Sequence, residues 1–181
     1  KHVTANSNFR LLPFNQRFQA MQDVEIISNG KIKDSFVSEF WGKEHHLKPT
    51  AYAHEQAMSL DCIASDQIDV QADLESLIAN TKSGIYVANT WYLRLVEEMQ
   101  GVITGMTRDG VFEIRDGKIT RALTNFRWHE NPITLLQRIS GATASKQLLG
   151  LSPLAGTGRQ RLSLVPALRV EGFHFSSVTH F

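Results

Sequence analysis

Between Thr104 and Leu123 the chain reads TGMTRDGVFEIRDGKITRAL, with Asp109-Gly110 and Asp116-Gly117 set seven residues apart. An Asp-Gly pair between apolar alternations is a strong local hairpin signal, because both central residues of a type I′ turn need positive φ. The run between the pairs, Val111 to Arg115, is strand-length and half apolar. The stretch therefore predicts strand, turn, strand, turn, strand. Asn29-Gly30, inside VEIISNGKIKDSFVSEF, repeats the signal upstream and predicts another hairpin.

Two segments carry a helical period instead. Val70, Leu74, Leu77 and Ile78 fall on one face, with Asp66 or Asp69 available as N-cap and Gly84 placed to end the element, which predicts a helix from Val70 to Lys82. Asn131 as N-cap, Pro132 at the first helical position and Leu135, Leu136 and Ile139 before Gly141 predict a second, its apolar stripe read as core. Further strands are expected at Met58 to Ile63, Ile85 to Trp91 and Gly101 to Met106, and in the closing LSLVPALRVEGFHF with a break at Pro166. Trp41 to Gln67 otherwise reads as a long connection and Ala142 to Gly158 as loop. The fold class is α+β: a mainly antiparallel β-sheet built from hairpins with two or three short helices. With 181 residues, 42% of them hydrophobic, the chain is expected to form a single β-rich domain over residues 1–181.

Nineteen basic against 18 acidic side chains leave a formal charge of +1, which gives no general attraction to nucleic acid or a membrane surface. The single cysteine, Cys62, has no internal disulfide partner, and cytoplasm is the expected compartment. No apolar run approaches the roughly 20 residues that span a bilayer. The opening KHVTANSNFR lacks both an initiator Met and the apolar core of a signal peptide, so the chain is expected to begin at a processing site or within a longer protein.

Catalytic patterns are scarce. A zinc protease needs two histidines one helical turn apart with a glutamate to activate water, and neither His54-Glu55 nor His129-Glu130 is followed by the second histidine. His45 and His46 would point to opposite faces of an extended chain. Ser152 in GLSPL lacks the second glycine of a nucleophile elbow, GTGRQ alone is no phosphate loop, and Cys62 has no local signal for a lowered pKa. Arg159, Arg161 and Arg169 could line a basic stripe, but without interleaved aromatics they read as a solvated face.

Longer strings carry a resemblance. GIYV, the element Trp91-Tyr92-x-Arg94, TGMTRDGVFEI, DGKI and NFRWHENP together resemble the C-terminal domain of the TldD/PmbA family of metalloprotease-type proteins, formerly called modulators of DNA gyrase. NFRWHENP is similar to the family's Asn-Phe-Arg-Phe-Asn-Glu-Ser-Pro, and the likeness extends roughly from Val24 to Phe175. The family pairs such a β-rich domain with an N-terminal domain whose helix carries His-Glu-x-x-x-His. That metal-helix domain is expected to be absent here.

In the catalytic branch a cysteine in Cys-Gly-Lys-x-Gly-Gln completes the metal site, and the nearest counterpart is AGTGRQ with Ala155 about where the ligand stands. The resemblance thus implies the non-catalytic, PmbA- or TldE-like branch. No catalytic residue, metal ligand or cofactor is assigned to this chain, zinc entering only if the missing half supplies a site, and the isolated chain is expected to be inactive. The implied role is the scaffold and partner-binding half of a peptide-degrading assembly. Its implied partners are the missing N-terminal domain or a paralogous subunit, in a homo- or hetero-oligomer, and short or unfolded peptides held by strand addition. Thr104, Gly105, Thr107 and Arg108 are the candidate peptide-groove residues. A stand-alone module for single-stranded nucleic acid or peptide is the alternative, with nucleic acid the lesser of the two.

Overall fold

In the computed structural model, residues 2–5, 14, 17–20, 22–28, 31–50, 60–63, 67–151 and 161–179 are described. In chain order the elements are β1 (His2–Ala5), β2 (Val24–Ser28), β3 (Lys31–Ile32), α1 (Glu39–His45), β4 (Leu60–Ile63), β5 (Asp69–Gln71), α2 (Leu74–Ala79), β6 (Ser83–Glu97), β7 (Val102–Arg115) and β8 (Lys118–Ala122). They continue with β9 (Phe126–Glu130), α3 (Pro132–Gln137), β10 (Ile139–Leu151), β11 (Arg161–Val170) and β12 (Phe175–Val178). Strands dominate and the described helices are short, which is the α+β class that the hairpin signals predict.

The chain divides into two compact units, residues 1–67 with 145–167, and residues 68–144 with 168–181. In the first, the strands run in the order β3-β2-β1-β4-β11. All neighbours are antiparallel except β11, which lies parallel to β4. The expected turn at Asn29-Gly30 lies outside the described residues, but its flanking strands do pair, Ile27 with Ile32. β4 confirms the strand expected at Met58 to Ile63.

α1 is a departure from the long connection read there. Ser38 caps it by accepting from the Trp41 amide, and His46 closes it at φ 55 in the left-handed region. No apolar stripe advertises this helix, because Phe40 and Trp41 both stay exposed. His45 and His46 are therefore a helix end rather than an extended pair, with the His45 ring stacked 4.7 Å from that of Trp41.

The second unit holds a sheet ordered β12-β9-β7-β6, with β8 also paired to β7, and a parallel pairing of β5 with β10. Leu77, Met106, Val111, Ile114, Trp128, Ile139 and Ala142 form its buried apolar set. α2 is shorter than the helix expected from Val70. Its N-cap is Asp73, whose carboxylate accepts from the Ser76 amide at 2.8 Å, while Val70 and Asp69 belong to β5 and Gly84 to β6. The Asp73 carboxyl is held below its usual range by that hydrogen bond.

α3 keeps its predicted cap, Asn131, and its proline. It buries no residue, however, and Ile139 reaches the core from β10 rather than from the helix. Small residues from Ala142 onward form strand β10 instead of loop, since Ala142 and Thr143 pair in register with Val70 and Gln71. β11 runs through Pro166 without the expected break.

The two Asp-Gly pairs part company. Asp116-Gly117 makes the tight β7–β8 turn, with φ of 47° and 74°. Asp109-Gly110 also has positive φ, 61° and 136°, yet sits inside β7 as a bulge, because the register passes from Val87–Val111 to Asn89–Arg108. Two residues of β7 there oppose Ala88 alone. Asn89 secures the bulge by donating to the Asp109 carboxylate at 2.9 Å.

Candidate peptide-docking edge

β7 is an inner strand, and this decides what its side chains can do. Ile103 to Met106 pair with Glu130 to Arg127 of β9 on one side, while β6 occupies the other. Thr104 is 4% exposed and donates its hydroxyl to the Trp128 carbonyl at 2.9 Å. Thr107, 2% exposed, accepts from the Phe126 amide at 2.9 Å and donates to Asn125 Oδ1 at 3.1 Å. Gly105 lies directly beneath the Trp128 indole, where a β-carbon would collide with the ring and meet Leu93 at 3.0 Å. These three residues are buried within the sheet rather than lining an open groove. Of the four candidate groove residues, only Arg108 is exposed.

β6 has the opposite environment. Its outer edge has no partner among the described strands. Trp91, Tyr92, Leu93, Leu95 and Val96 are each at least 40% exposed, and Met99 in the following turn is 99% exposed. Two guanidinium groups lie on these rings: Arg108 is 4.3 Å from the Trp91 centroid and Arg94 is 4.4 Å from that of Tyr92. Such cation–π contacts hold the long side chains over apolar surface while leaving their charge in solvent. Arg108 also meets Asp109 at 3.4 Å, whereas Arg94 has no carboxylate partner among the described residues.

The β6–β7 ladder is regular from Ser83–Arg115 to Val87–Val111 and then irregular at Ala88, at Tyr92-Leu93 and at Val96. Tyr92 takes φ 55 at the second of these, a conformation that costs a non-glycine residue about 1–3 kcal/mol. The buried Trp128 indole N–H has no acceptor among the described residues. Trp91, Tyr92 and Arg94 were legible in the sequence only as part of a shared string, and the strand expected to end at Trp91 runs on to Glu97.

The remaining sequence candidates separate. Arg169 is not a solvated stripe residue: it donates to Asp69 at 3.1 Å, to Ser140 Oγ at 3.0 Å and to the Asn80 carbonyl at 3.1 Å, tying β5, α2 and β10. Arg159 lies outside the described residues, as do Ala155, Ser152 and His54-Glu55. His129 and Glu130 belong to β9 rather than a loop. Glu130 is buried, accepts from the His174 amide at 2.8 Å and is ion-paired to Arg138. Among the described residues no three of His, Cys, Asp or Glu come together to hold a metal ion. No described helix is long and apolar enough to cross a membrane.

Comparison with known proteins adds the family. The PmbA/TldA metallopeptidase C-terminal domain matches residues 4–177. Three solved structures share the fold. TldE from Thermococcus kodakarensis has a TM-score of 0.74 at 15% identity, over 97% of this chain and 39% of that one. A Bacteroides thetaiotaomicron protein described as a modulator of DNA gyrase gives 0.71 at 18% identity, over 98% of this chain and 36% of the other. A similarly described Thermotoga maritima protein gives 0.70 at 12%, over 94% and 37%. The chain thus spans less than two-fifths of the length of these structural relatives. No curated protein sequence matches it.

Proposed function

The chain belongs to the PmbA/TldA metallopeptidase C-terminal domain family, and from that premise we propose that it is the scaffold and partner-binding half of a peptide-degrading assembly in the cytoplasm. It carries no complete metal site of its own; zinc, where the assembly uses it, is supplied by another domain or a paralogous subunit. Short or unfolded peptides are its ligands, and they bind by adding a strand to the outer edge of β6. The observation that carries this reading is that unpaired edge, regular over residues 83–87 and bordered by Arg108 on Trp91. Main-chain hydrogen bonds to an open edge recognise extended peptides without regard to sequence. Thr104, Gly105 and Thr107 act from beneath, by fixing β7 and hence the edge.

The test is titration of the full chain with a fluorescent, unstructured peptide and with the same peptide N-methylated at alternate amides. Methylation is expected to weaken binding about tenfold or more, since each lost main-chain hydrogen bond removes about 1 kcal/mol. Arg108→Ala is expected to weaken it less, with the melting temperature unchanged. Equal affinity for the two peptides would remove strand addition as the mode. The nucleic-acid alternative draws support from the same ring–guanidinium pairs, and steep salt dependence of oligonucleotide binding would favour it.

A further inference from the structure

Main-chain pairing along residues 83–87 is indifferent to the side chains of a peptide, so selectivity has to come from what the sheet presents beside that edge. The register gathers one such set on a single face. Arg94 of β6 stands opposite Thr104 of β7, and Thr104 stands opposite His129 of β9. The His129 amide then donates to the His174 carbonyl at 3.1 Å, with the two imidazole rings 6.3 Å apart. In the next row Trp91, Met106 and Arg127 are opposed in the same way. Directly opposed residues share a face, as do residues two apart on a regular strand, so Arg94, Arg127 and His129 lie on one side of the sheet and the buried Trp128 on the other. Arg108, two residues from Met106, joins them with its guanidinium over the Trp91 ring.

The chemistry of this face suits negative charge. Consecutive side chains of a regular strand point to opposite faces, yet the Trp91 and Tyr92 rings lie 5.9 Å apart, because the left-handed φ at Tyr92 breaks the alternation. Two neighbouring rings thereby carry Arg108 and Arg94. A guanidinium over an aromatic ring keeps its charge and its fork of N–H donors for a further partner, and a carboxylate is the planar group that matches that fork. Arg127 lies across Met106 with Nη2 3.8 Å from the sulfur. Neither Arg127 nor Arg94 has a carboxylate partner among the described residues, and Asp109 meets Arg108 at 3.4 Å through Nε rather than through the terminal nitrogens. The whole chain carries a formal charge of only +1, so this concentration of cations is local and not the trace of a basic protein.

We propose that this face selects acidic peptides: Arg94 and Arg108, backed by Arg127, His129 and His174, receive the carboxylates of Asp or Glu residues in an unfolded peptide. The selection rests on the reading of β6 as a peptide-docking edge and adds to it the class of peptide. Trp91 and Arg94 follow Val87 by four and seven residues. At the common rise of extended chains, the acidic residues therefore lie about four to seven positions beyond the segment paired to residues 83–87. Side chains alone make this second contact, since the ladder at Tyr92 and Leu93 is irregular.

Fluorescence anisotropy on the full chain tests this with unstructured peptides, capped at both ends, that carry Glu at alternate positions in the first or the last third of their length, and with the same peptides bearing Gln or Lys there. At least one Glu peptide is expected to bind about tenfold or more tightly than its Gln counterpart, the gain of one or two charge-assisted contacts. Arg94→Gln with Arg108→Gln is expected to bring the two within about threefold, at an unchanged melting temperature, since both side chains are exposed. Arg94→Glu with Arg108→Glu is expected to move the preference to the Lys peptide, which a misfolded chain would not do. Equal affinity of the wild type for Glu and Gln peptides, or a Glu preference that survives Arg94→Gln with Arg108→Gln, would overturn the site. So would a single-stranded oligonucleotide that displaces the Glu peptide at equal or lower concentration, because the face would then be a nucleic-acid surface. Binding that is sensitive to N-methylation but shows no Glu preference overturns this site alone. A Glu preference that persists on N-methylated peptide supports the site and overturns strand addition alone.

Discussion

β6 and β7 share one antiparallel ladder of eleven paired residues, yet one strand faces the interior and the other faces water. β7 buries Thr104 through Thr107, Val111 and Ile114, while every residue of β6 from Ala88 to Glu97 is exposed. Composition does not explain the contrast, because β6 contributes Trp91, Tyr92, Leu93, Leu95 and Val96 where β7 contributes two buried threonines and a glycine. Position does: among the described strands, β7 has neighbours on both sides and β6 on one. An inner strand can bury a hydroxyl at little cost if it finds partners, as Thr107 does through Asn125 and the Phe126 amide. An outer strand leaves even its aromatic residues available to something else.

The sharpest way to break this contrast is to load the inner strand. Gly105→Val forces side-chain atoms into the Trp128 ring and is expected to destabilise the domain by about 3 kcal/mol, the upper range for overpacking, as read by urea midpoint. Gly117→Val comes next, at about 2 kcal/mol, because positive φ and the Ala79 backbone both oppose a side chain there. Thr107→Val should cost about 1–2 kcal/mol by leaving the part-buried Phe126 amide without its acceptor.

A smaller effect is expected of Glu113, whose carboxyl is held below its usual range chiefly by hydrogen bonds from Arg115, then Arg121. Its folded value is depressed, so its contribution is complete above the ordinary value of 4.5 and fades as pH falls through the lower, folded one. Glu113→Gln should therefore flatten the loss of melting temperature below that pH. On the outer strand Leu95→Ser should change monomer stability by no more than about 0.5 kcal/mol. Were Leu95→Ser to rival Gly105→Val in a monomeric sample, the distinction between the strands would collapse.

Local chemistry was the legible part of this chain. Asn131 and Pro132 announced α3, Leu74, Leu77 and Ile78 announced α2, and positive φ at Gly110 and Gly117 followed from their Asp-Gly context. What could not be read was decided at long range. The sequence offers the same dipeptide at 109 and 116, but only the register against β6 makes one a bulge and the other a turn. The small residues of β10 carry no apolar period and so read as loop, whereas their strand character comes from pairing with β5, far away in sequence.

The candidate site divided along the same line. The string around Thr104 to Arg108 points to the β6–β7 ribbon, but sequence alone does not tell that Thr104, Gly105 and Thr107 are buried or that Trp91, Tyr92 and Arg94 are exposed. Asp69, a candidate helix cap by sequence, instead holds Arg169, a partner separated from it by 100 positions.

The bulge at Asp109-Gly110 also keeps two strands of unequal count in step. Val87 and Asn89 are two apart on β6, whereas Val111 and Arg108, which they oppose, are three apart on β7. Directly opposed residues share a face of the sheet, and so do residues two apart along a regular strand. The extra residue absorbs the odd spacing, so that the ladder resumes beyond it in the same sense. It acts as a leap day acts on a calendar: an insertion on one side that keeps both reckonings aligned.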